Sequence, residues 1–287
     1  MGTAQRKMIP REHGAYAELL FPIVTVFLGG SPTTSTWLLA VGAIACFLAN
    51  EPANEPLLVL VGQRGNRTKR EESDRAKRAL LLFFLVAIGA GVAGLLLATT
   101  AVQYAVSVPL LLGAGLMMLA VQGLERSMLG EGLAAATLSS IAIPLGLSAG
   151  LGLRATLAVV LIWLVTSLLG TAEVRLTIAR TKAKTDEEFA RVRFKRALLV
   201  LVCLAIIAVG VIAPYGSRVG LWILAAAVPV ALVVLAMAAL RPTARRLRLM
   251  GWSLVAANLC SLIAVVITLK IIQDFKAVEP TLPFPMF

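Results

Sequence analysis

The sequence is poor in the side chains that carry most soluble enzyme chemistry. Among 287 residues there are 15 Asp and Glu, three Cys and a single His, and aromatic residues make up 6%. No GxSxG, Walker A or HExxH sequence is present, which excludes the serine hydrolase, P-loop and zinc protease sites that use them. Cys46, Cys203 and Cys260 show no CxxC spacing, and we interpret them as small packing residues.

Charged residues are also scarce, at 15%, whereas hydrophobic residues reach 59% and the mean hydropathy is +0.89. Soluble domains carry about a quarter charged residues, so this composition indicates an integral membrane protein. A spanning helix needs about 20 mostly apolar residues. We therefore expect an all-α polytopic membrane bundle with nine transmembrane helices, numbered as spans 1 to 9, at 15–30, 37–50, 79–98, 104–121, 132–150, 155–172, 197–213, 220–240 and 250–270.

The Lys and Arg residues are distributed unevenly between the two sides of these spans. With the N-terminus inside, 23 of the 27 basic residues fall in inner segments, as the positive-inside rule requires. We therefore expect an inner N-terminus and an outer C-terminus. No A-x-A cleavage site follows residues 1–14, so span 1 is expected to be retained. The four outer basic residues are Arg154, Arg218, Lys270 and Lys276.

The net charge of +12 and the pI near 10.4 also follow from the excess of basic residues beside the spans. The charge lies in loops beside the spans, where it attracts anionic lipid headgroups. No aromatic-rich soluble module accompanies it, so we expect membrane lipids, and no nucleic acid, as partners.

The two halves of the chain show a weak internal repeat. At an offset of 118 residues, RAKRALLL at 75–82 aligns with RFKRALLV at 193–200, and Glu55 aligns with Glu173. We expect one transmembrane domain, 1–287, in which spans 1–4 (15–121) and spans 5–8 (132–240) form a parallel pseudo-repeat and span 9 (250–270) is appended. Alternatively, the shared sequence is only a common positive flank before a Leu-rich span.

The first acidic group lies at the inner end of span 2, where Asn50, Glu51, Asn54 and Glu55 form an N-E-x-x-N-E arrangement. A helix would place the two Glu residues, and likewise the two Asn residues, on neighbouring stripes. Two close carboxylates favour a cation such as Mg²⁺, which binds carboxylates together with substrate phosphates. Two prolines of the segment are expected to break or kink the helix. The alternative is a polar cap without a metal.

The second acidic position, Glu173, lies at the inner end of span 6. Arg175 and Arg180 follow it, while Arg64 and Arg67 lie in the loop after span 2. Guanidinium groups bind phosphate oxygens in a bidentate manner, although positive-inside residues would show the same positions. The mixed charges of 180–196 suit a short surface helix with i,i+4 pairs. We expect both inner segments to cap the inner mouth or to lie on the headgroups.

His13 and Glu18 bracket the start of span 1. An ionised carboxylate at this depth is costly, so Glu18 is expected to face the interior, to be paired or to be protonated. His13 could accept a proton near neutral pH, or it could have a structural role at headgroup level. We include both residues among the candidate substrate-binding groups.

The opening sequence IPREHGAY at 9–16, followed by a proline-containing first span and by NEP after span 2, resembles the YwiC-like family of bacterial membrane proteins. The resemblance implies a multi-pass protein of the inner (cytoplasmic) membrane. The nine spans and the long loops after spans 2 and 6 also resemble the UbiA superfamily of intramembrane prenyltransferases. Those enzymes use two Asp-rich motifs, N-D-x-x-D-x-x-x-D and D-x-x-x-D, to bind an isoprenyl diphosphate through Mg²⁺.

The UbiA-like motifs are only partly matched. Asn50 matches the motif's Asn, and Glu51 and Asn54 match its first two Asp residues, with Glu55 beside them; the third Asp position is a leucine. In the second loop Glu173 matches the first Asp, but a threonine stands at the next position of that motif.

Two functions from different classes follow. The resemblance implies a UbiA-like transferase, or a divergent relative, that binds an isoprenoid diphosphate or polar lipid at its cytoplasmic mouth. Glu51, Asn54, Glu55 and Glu173 would hold Mg²⁺ and the arginines would neutralise phosphate, while no catalytic residue is assigned. The alternative is a non-enzymatic membrane protein, either a small-solute transporter or an accessory subunit.

Overall fold

The chain is entirely helical in the part that the computed structural model describes, which comprises residues 13–60, 70–124, 127–212, 225–240 and 247–278. These ranges contain helices, turns and bends but no strand. The helices, numbered here in chain order, are α1 His13–Gly29, α2 Thr34–Leu60, α3 Arg70–Leu96, α4 Thr100–Ala105, α5 Ser107–Val121, α6 Met128–Ser140, α7 Ala142–Ser148, α8 Leu153–Lys182, α9 Asp186–Ile212, α10 Val228–Leu240 and α11 Leu247–Val278.

Each expected span coincides with a helix or a pair of helices within the described ranges. Five stretches are long and apolar enough to cross a membrane, namely Arg78–Leu96, Thr100–Val121, Met128–Ser148, Leu153–Lys182 and Leu247–Ile271. Three shorter apolar helices accompany them, namely Tyr16–Gly29, Thr34–Ala49 and Val228–Leu240. The all-α membrane architecture is confirmed, whereas nine crossings and their orientation remain predictions.

Proline explains why two of the expected spans are interrupted. Span 4 is divided after Ala105, four residues before Pro109, and span 5 is divided after Ser140, four residues before Pro144. Proline has no N–H for the carbonyl four residues earlier, and its ring crowds that carbonyl. The Ser107 hydroxyl donates to the Tyr104 carbonyl at 2.6 Å, which supplies a local bond beside the break.

Proline does not interrupt α2, contrary to expectation. The helix continues through Pro52 and Pro56 to Leu60, so the acidic segment belongs to the helix and not to a loop. The surface helix expected at 180–196 is also corrected, because these residues are divided between the end of α8 and the first turns of α9. Membrane context and neighbouring helices override local breaking tendencies in such cases.

The chain divides into two compact units. Unit 1 comprises residues 1–19 and 30–153, and unit 2 comprises 20–29 and 154–287. In unit 1, α2 and α3 approach closely at glycines: a Cβ added to Gly42 would lie 3.2 Å from the Gly91 nitrogen. The Ser35 hydroxyl donates to the Gly94 carbonyl at 2.8 Å. Small residues allow membrane helices to pack backbone against backbone.

Unit 2 has a well-defined apolar core formed by α8, α9, α10 and α11. The second half of α1 belongs to this unit and packs on α8, where the Phe21 and Trp163 rings stack at 5.1 Å and the Trp163 indole N–H donates to the Thr25 hydroxyl at 3.0 Å. The buried residues of this core cluster are Leu169, Leu176, Leu199, Cys203, Val230, Ala231, Val234 and Ala257.

Cys203 fits the expected packing role, whereas Cys46 and Cys260 have exposed side chains. Many large apolar side chains of α3 and α5 are exposed as well, including Leu85, Leu111 and Met118. Such surfaces are normal for helices that face hydrocarbon, because lipid is as apolar as the side chains.

Candidate functional site

A buried polar cluster lies near the end of α8 in unit 2. Glu173 and Thr177 are four residues apart and therefore lie on one face of α8, and Arg196 comes from α9. Arg196 Nη2 donates to Glu173 Oε1 at 2.9 Å and to the Thr177 hydroxyl oxygen at 3.3 Å. The Thr177 hydroxyl donates to the same carboxylate oxygen at 3.2 Å. One oxygen of Glu173 thus accepts two hydrogen bonds.

The cluster is removed from solvent. The side chain of Glu173 is 0% exposed and that of Arg196 is 11% exposed. Desolvating two charges costs several kcal/mol per ion, which the pair recovers only through close geometry and further hydrogen bonds. The structure provides the first of these conditions and only part of the second, since Glu173 Oε2 and Arg196 Nε have no hydrogen-bond partner among the described residues.

The surroundings of the pair are apolar. Leu169, Leu176 and Cys203 lie in the core cluster next to it, and α10 contributes no polar or ionisable side chain. Electrostatic interactions are stronger in such an environment than in water. Ionisable residues inside a membrane bundle are expensive and usually functional, so this cluster is the best-defined candidate site in the described structure.

A basic surface adjoins the cluster, which we call the α8–α9 corner and define as residues 175–196. It contains eight Lys and Arg residues and three acidic residues. Arg191 pairs with Glu187 at 2.8 Å, as the mixed charge pattern predicted. Exposed basic side chains at this corner are Lys182, Lys184, Arg193 and Lys195. Phe194 is 73% exposed.

The start of α9 is fixed by a capping box. Glu188 Oε2 accepts hydrogen bonds from the backbone amides of Lys184 at 2.8 Å and of Thr185 at 3.4 Å. In return, the Glu188 amide donates to the Thr185 hydroxyl oxygen at 3.3 Å. The bonds from the backbone amides hold the pKa of the Glu188 carboxyl below its usual value. This cap lies directly before Asp186, where α9 begins.

The structure tests the predicted magnesium site only in part. Glu173 has a protein cation, Arg196, as its partner. Within the described ranges no group of three His, Cys, Asp or Glu residues could hold a metal ion. The side chains of Glu51, Asn54 and Glu55 lie outside the described residues, although the backbone of all three belongs to α2. Mg²⁺ binding therefore remains a prediction.

The other predicted site residues fall into two groups. Arg175 and Arg180 are half-buried on α8, Glu18 is half-buried on α1, and each of the three interacts with another residue. The second group lies outside the described side chains and comprises Asn50 in α2, His13 at the first position of α1, and Arg64 and Arg67, which lie between α2 and α3.

Sequence reasoning missed Arg196 as a site residue because it was counted only as a positive-inside residue. A signal was present: Arg196 is part of the repeated R-x-K-R-A-L-L sequence and follows Glu173 by 23 residues. Spacing alone does not distinguish it from Arg193 or Lys195, both of which are exposed.

Unit 1 contains a separate cavity of about 390 Å³. It includes none of the predicted site residues, and its polar groups are uncharged hydroxyls. The cavity is lined by Thr33, Thr34, Ser35, Leu97, Ala98, Thr99, Val102, Leu147 and Ser148.

Comparison with known proteins bears on the first part of the chain. Residues 9–146 match the family model described as YwiC-like protein. No curated protein and no solved structure matches the chain significantly. The matched segment contains His13, Glu18 and the acidic end of α2, and it ends before α8. The expected relationship to the YwiC-like family of proteins is thus confirmed over residues 9–146.

Proposed function

We propose that this membrane protein binds the headgroup of an anionic lipid, an isoprenoid diphosphate, at the α8–α9 corner, and that it acts as a divergent UbiA-like transferase. The corner faces the cytoplasm in this proposal, and the isoprenoid tail lies among the helices. The supporting observation is the combination of a buried Glu173–Arg196 pair with exposed cations at the same corner.

The exposed cations supply the charge that a diphosphate requires. Lys182, Lys184, Arg193 and Lys195 are all exposed, and each phosphate contact with such a group is charge-assisted. Lipid headgroups reach this depth, since basic residues beside spans are drawn to anionic lipid. In a prenyl transfer the same cations would stabilise the departing diphosphate, which is the main electrostatic task of the reaction.

The buried pair has a positioning role in this proposal. Arg196 neutralises Glu173, so the carboxylate adds no net negative charge next to the diphosphate. The pair also ties α8 to α9 below the corner, which fixes the relative positions of the cations on the two helices. Mg²⁺ binding by Glu51 and Glu55, at the end of α2, is a separate proposal that does not depend on this corner.

Thermal stability of the detergent-purified protein tests the binding step. The probes are geranyl, farnesyl and geranylgeranyl diphosphate, each with and without Mg²⁺. A bound ligand raises stability by about 2.7 kcal/mol at a hundredfold excess over its Kd. The double variant Lys182→Gln/Lys184→Gln should lose this rise.

The matched control is Arg154→Gln/Lys270→Gln, which removes the same charge from two exposed positions near the other ends of α8 and α11. It should keep the rise. The absence of a rise with every chain length, or an equal loss in both variants, would contradict binding at the corner.

Turnover tests the transfer step separately. Radiolabelled farnesyl diphosphate incubated with the protein and a membrane lipid extract should yield a labelled lipid that has lost its diphosphate. Glu51→Gln and Glu173→Gln should both reduce this product without unfolding the protein. Unchanged turnover in both variants would exclude the roles proposed for these carboxylates.

A further inference from the structure

Unit 2 contains several buried polar atoms that have no hydrogen-bond partner among the described residues. Two belong to the Glu173–Arg196 pair, namely Glu173 Oε2 and Arg196 Nε. Two more lie on α11, namely Asn258 Oδ1 and Ser261 Oγ, and one lies near the start of α8, Thr156 Oγ1. Buried polar atoms in native proteins are normally hydrogen-bonded to protein or to ordered water.

Contacts within unit 2 place these atoms at successive levels along α8. A Cβ added to Gly170 of α8 would lie 3.4 Å from the Leu254 side chain of α11. A Cβ added to Gly29 of α1 would lie 2.6 Å from the Leu269 side chain. Gly29 is one turn beyond Thr25, which bonds to Trp163. Leu254 of α11 therefore lies at the height of Gly170 on α8, and Leu269 lies within about one turn of the height of Trp163.

Asn258 and Ser261 consequently lie between those two levels in height along α11. Their spacing of three residues places them on one face of α11. Thr156 lies ten residues before Thr166, and Glu173 lies seven residues after it, so the three levels span about 26 Å of α8 at 1.5 Å per residue. This length is comparable with the hydrocarbon thickness.

All the polar residues of this series on α8 lie on its buried face. Thr156, Thr166, Glu173 and Thr177 are each no more than 1% exposed, and their successive intervals of ten, seven and four residues place all four within an arc of about 100° around the helix axis. A dry bundle would leave two hydroxyls, an amide oxygen, a carboxylate oxygen and a guanidinium nitrogen without partners. Each buried polar atom that lacks a hydrogen bond costs free energy in a low-dielectric interior.

We propose that unit 2 binds internal water along this face of α8, in a hydrated column that extends from Thr156 to the Glu173–Arg196 pair. At the inner level one water accepts from Arg196 Nε and donates to Glu173 Oε2. At the middle level a water bridges Asn258 Oδ1 and Ser261 Oγ. Bound waters require two to four polar partners, and each of these levels supplies two. The column does not depend on the proposed lipid function.

X-ray radiolytic labelling in ¹⁸O-enriched water tests this proposal on the intact protein, because hydroxyl radicals formed at bound water mark adjacent side chains. Trp163 is 2% exposed and lies beside the middle level, whereas Met237 is 6% exposed and lies on α10, whose described side chains are all apolar. Trp163 should be labelled several-fold faster than Met237. Equal or slower labelling of Trp163 would overturn the proposal.

Two conservative variants separate water binding from packing. Ser261→Ala removes a column hydroxyl and should reduce labelling of Trp163, whereas Ser253→Ala removes a hydroxyl that already donates to the Leu249 carbonyl and should not. Thr156→Val should leave the melting temperature unchanged or lower it, because a bound water loses a partner. A rise in melting temperature would mean that the hydroxyl is dry and would contradict the proposal.

Discussion

Two Glu–Arg pairs involve helices α8 and α9. Their N–O distances are nearly equal, but their exposure to solvent differs. Glu173 and Arg196 are 2.9 Å apart, and their side chains are 0% and 11% exposed. Glu187 and Arg191 are 2.8 Å apart, and their side chains are 82% and 67% exposed. Judged by distance alone, the two ion pairs would be ranked as equally strong.

The difference shows that the cost of breaking a pair depends on what replaces the lost partner. Water replaces either partner of the exposed pair, and such pairs contribute about 0–1 kcal/mol. The described core of unit 2 contributes only apolar side chains around Glu173 and no second cation, so removal of Arg196 leaves a buried charge without a counter-charge. The predictions that follow test this contrast, beginning with the largest expected effect.

Arg196→Gln should destabilise the protein by about 3–5 kcal/mol, because it leaves Glu173 buried without a counter-charge. Denaturant unfolding in detergent, followed by tryptophan fluorescence, measures the loss. The double variant Glu173→Gln/Arg196→Gln removes both charges and should recover most of the stability. If the double variant is as unstable as the single one, the pair acts through packing and not through charge.

The internal repeat predicts a second pair at equivalent positions of the first half. The offset that aligns Glu55 with Glu173 also aligns Arg78 with Arg196. Because Arg78 is exposed, the coupling in a double-mutant cycle of Glu55→Gln and Arg78→Gln should be about 0.2–1 kcal/mol. The matched control cycle combines Glu55→Gln with Lys77→Gln, which corresponds to the exposed Lys195. Additive effects in both cycles would argue against the repeat.

Glu187→Gln should change stability by about 0.3–0.5 kcal/mol, as expected for an exposed i,i+4 helix pair. The effect should vanish near 1 M salt, where the Debye length falls to about 3 Å. Unfolding measured at low and high salt tests both statements. A salt-independent loss as large as that of Arg196→Gln would remove the distinction between the two pairs.

The smallest effect concerns the cap of α9. The usual pKa of a Glu carboxyl is 4.5, and the Lys184 and Thr185 amides lower the pKa of Glu188 in the folded protein. A lowered folded pKa stabilises the cap above pH 4.5, and this contribution is lost as the pH falls through the folded value.

Amide hydrogen exchange at Lys184 and Thr185 should therefore accelerate as the pH decreases below 4.5, after correction for intrinsic rates. Glu188→Ala should exchange rapidly at all pH values, whereas Glu187→Ala should retain the pH dependence. A pH-independent exchange rate in the wild-type protein would show that the carboxylate does not cap the helix.

Composition and the charge pattern were sufficient to predict the helical membrane architecture. Long apolar runs specify helices because backbone groups in lipid must bond internally, and every expected span contains a helix in the described ranges. The breaks near Pro109 and Pro144 follow from proline chemistry, but the continuous helix through Pro52 and Pro56 does not. Local propensity cannot show when tertiary packing will override it.

The candidate site was predicted only in part. Glu173 was identified because a carboxylate at the end of a span is unusual, whereas its partner was not, since three cations near the start of α9 have similar sequence contexts. Which of them turns inward depends on helix phase: Arg196 lies on the face of α9 that meets Glu173, whereas Arg193 and Lys195 are exposed. Hydropathy does not show which of several neighbouring residues faces the interior of the bundle.

The position of Arg196 within α9 also bears on how the chain enters the membrane. Arg196 directly precedes the apolar run 197–212 of α9, a position at which an arginine costs less than the about 2.5–3.5 kcal/mol that insertion scales give for the helix centre, and the carboxylate that compensates it is carried by the preceding helix. We expect α8 to remain at the translocon until α9 emerges, so that both partition into lipid as a hairpin. The exposed Lys182 and Lys184 would hold its tip on the side of synthesis, as the positive-inside rule requires.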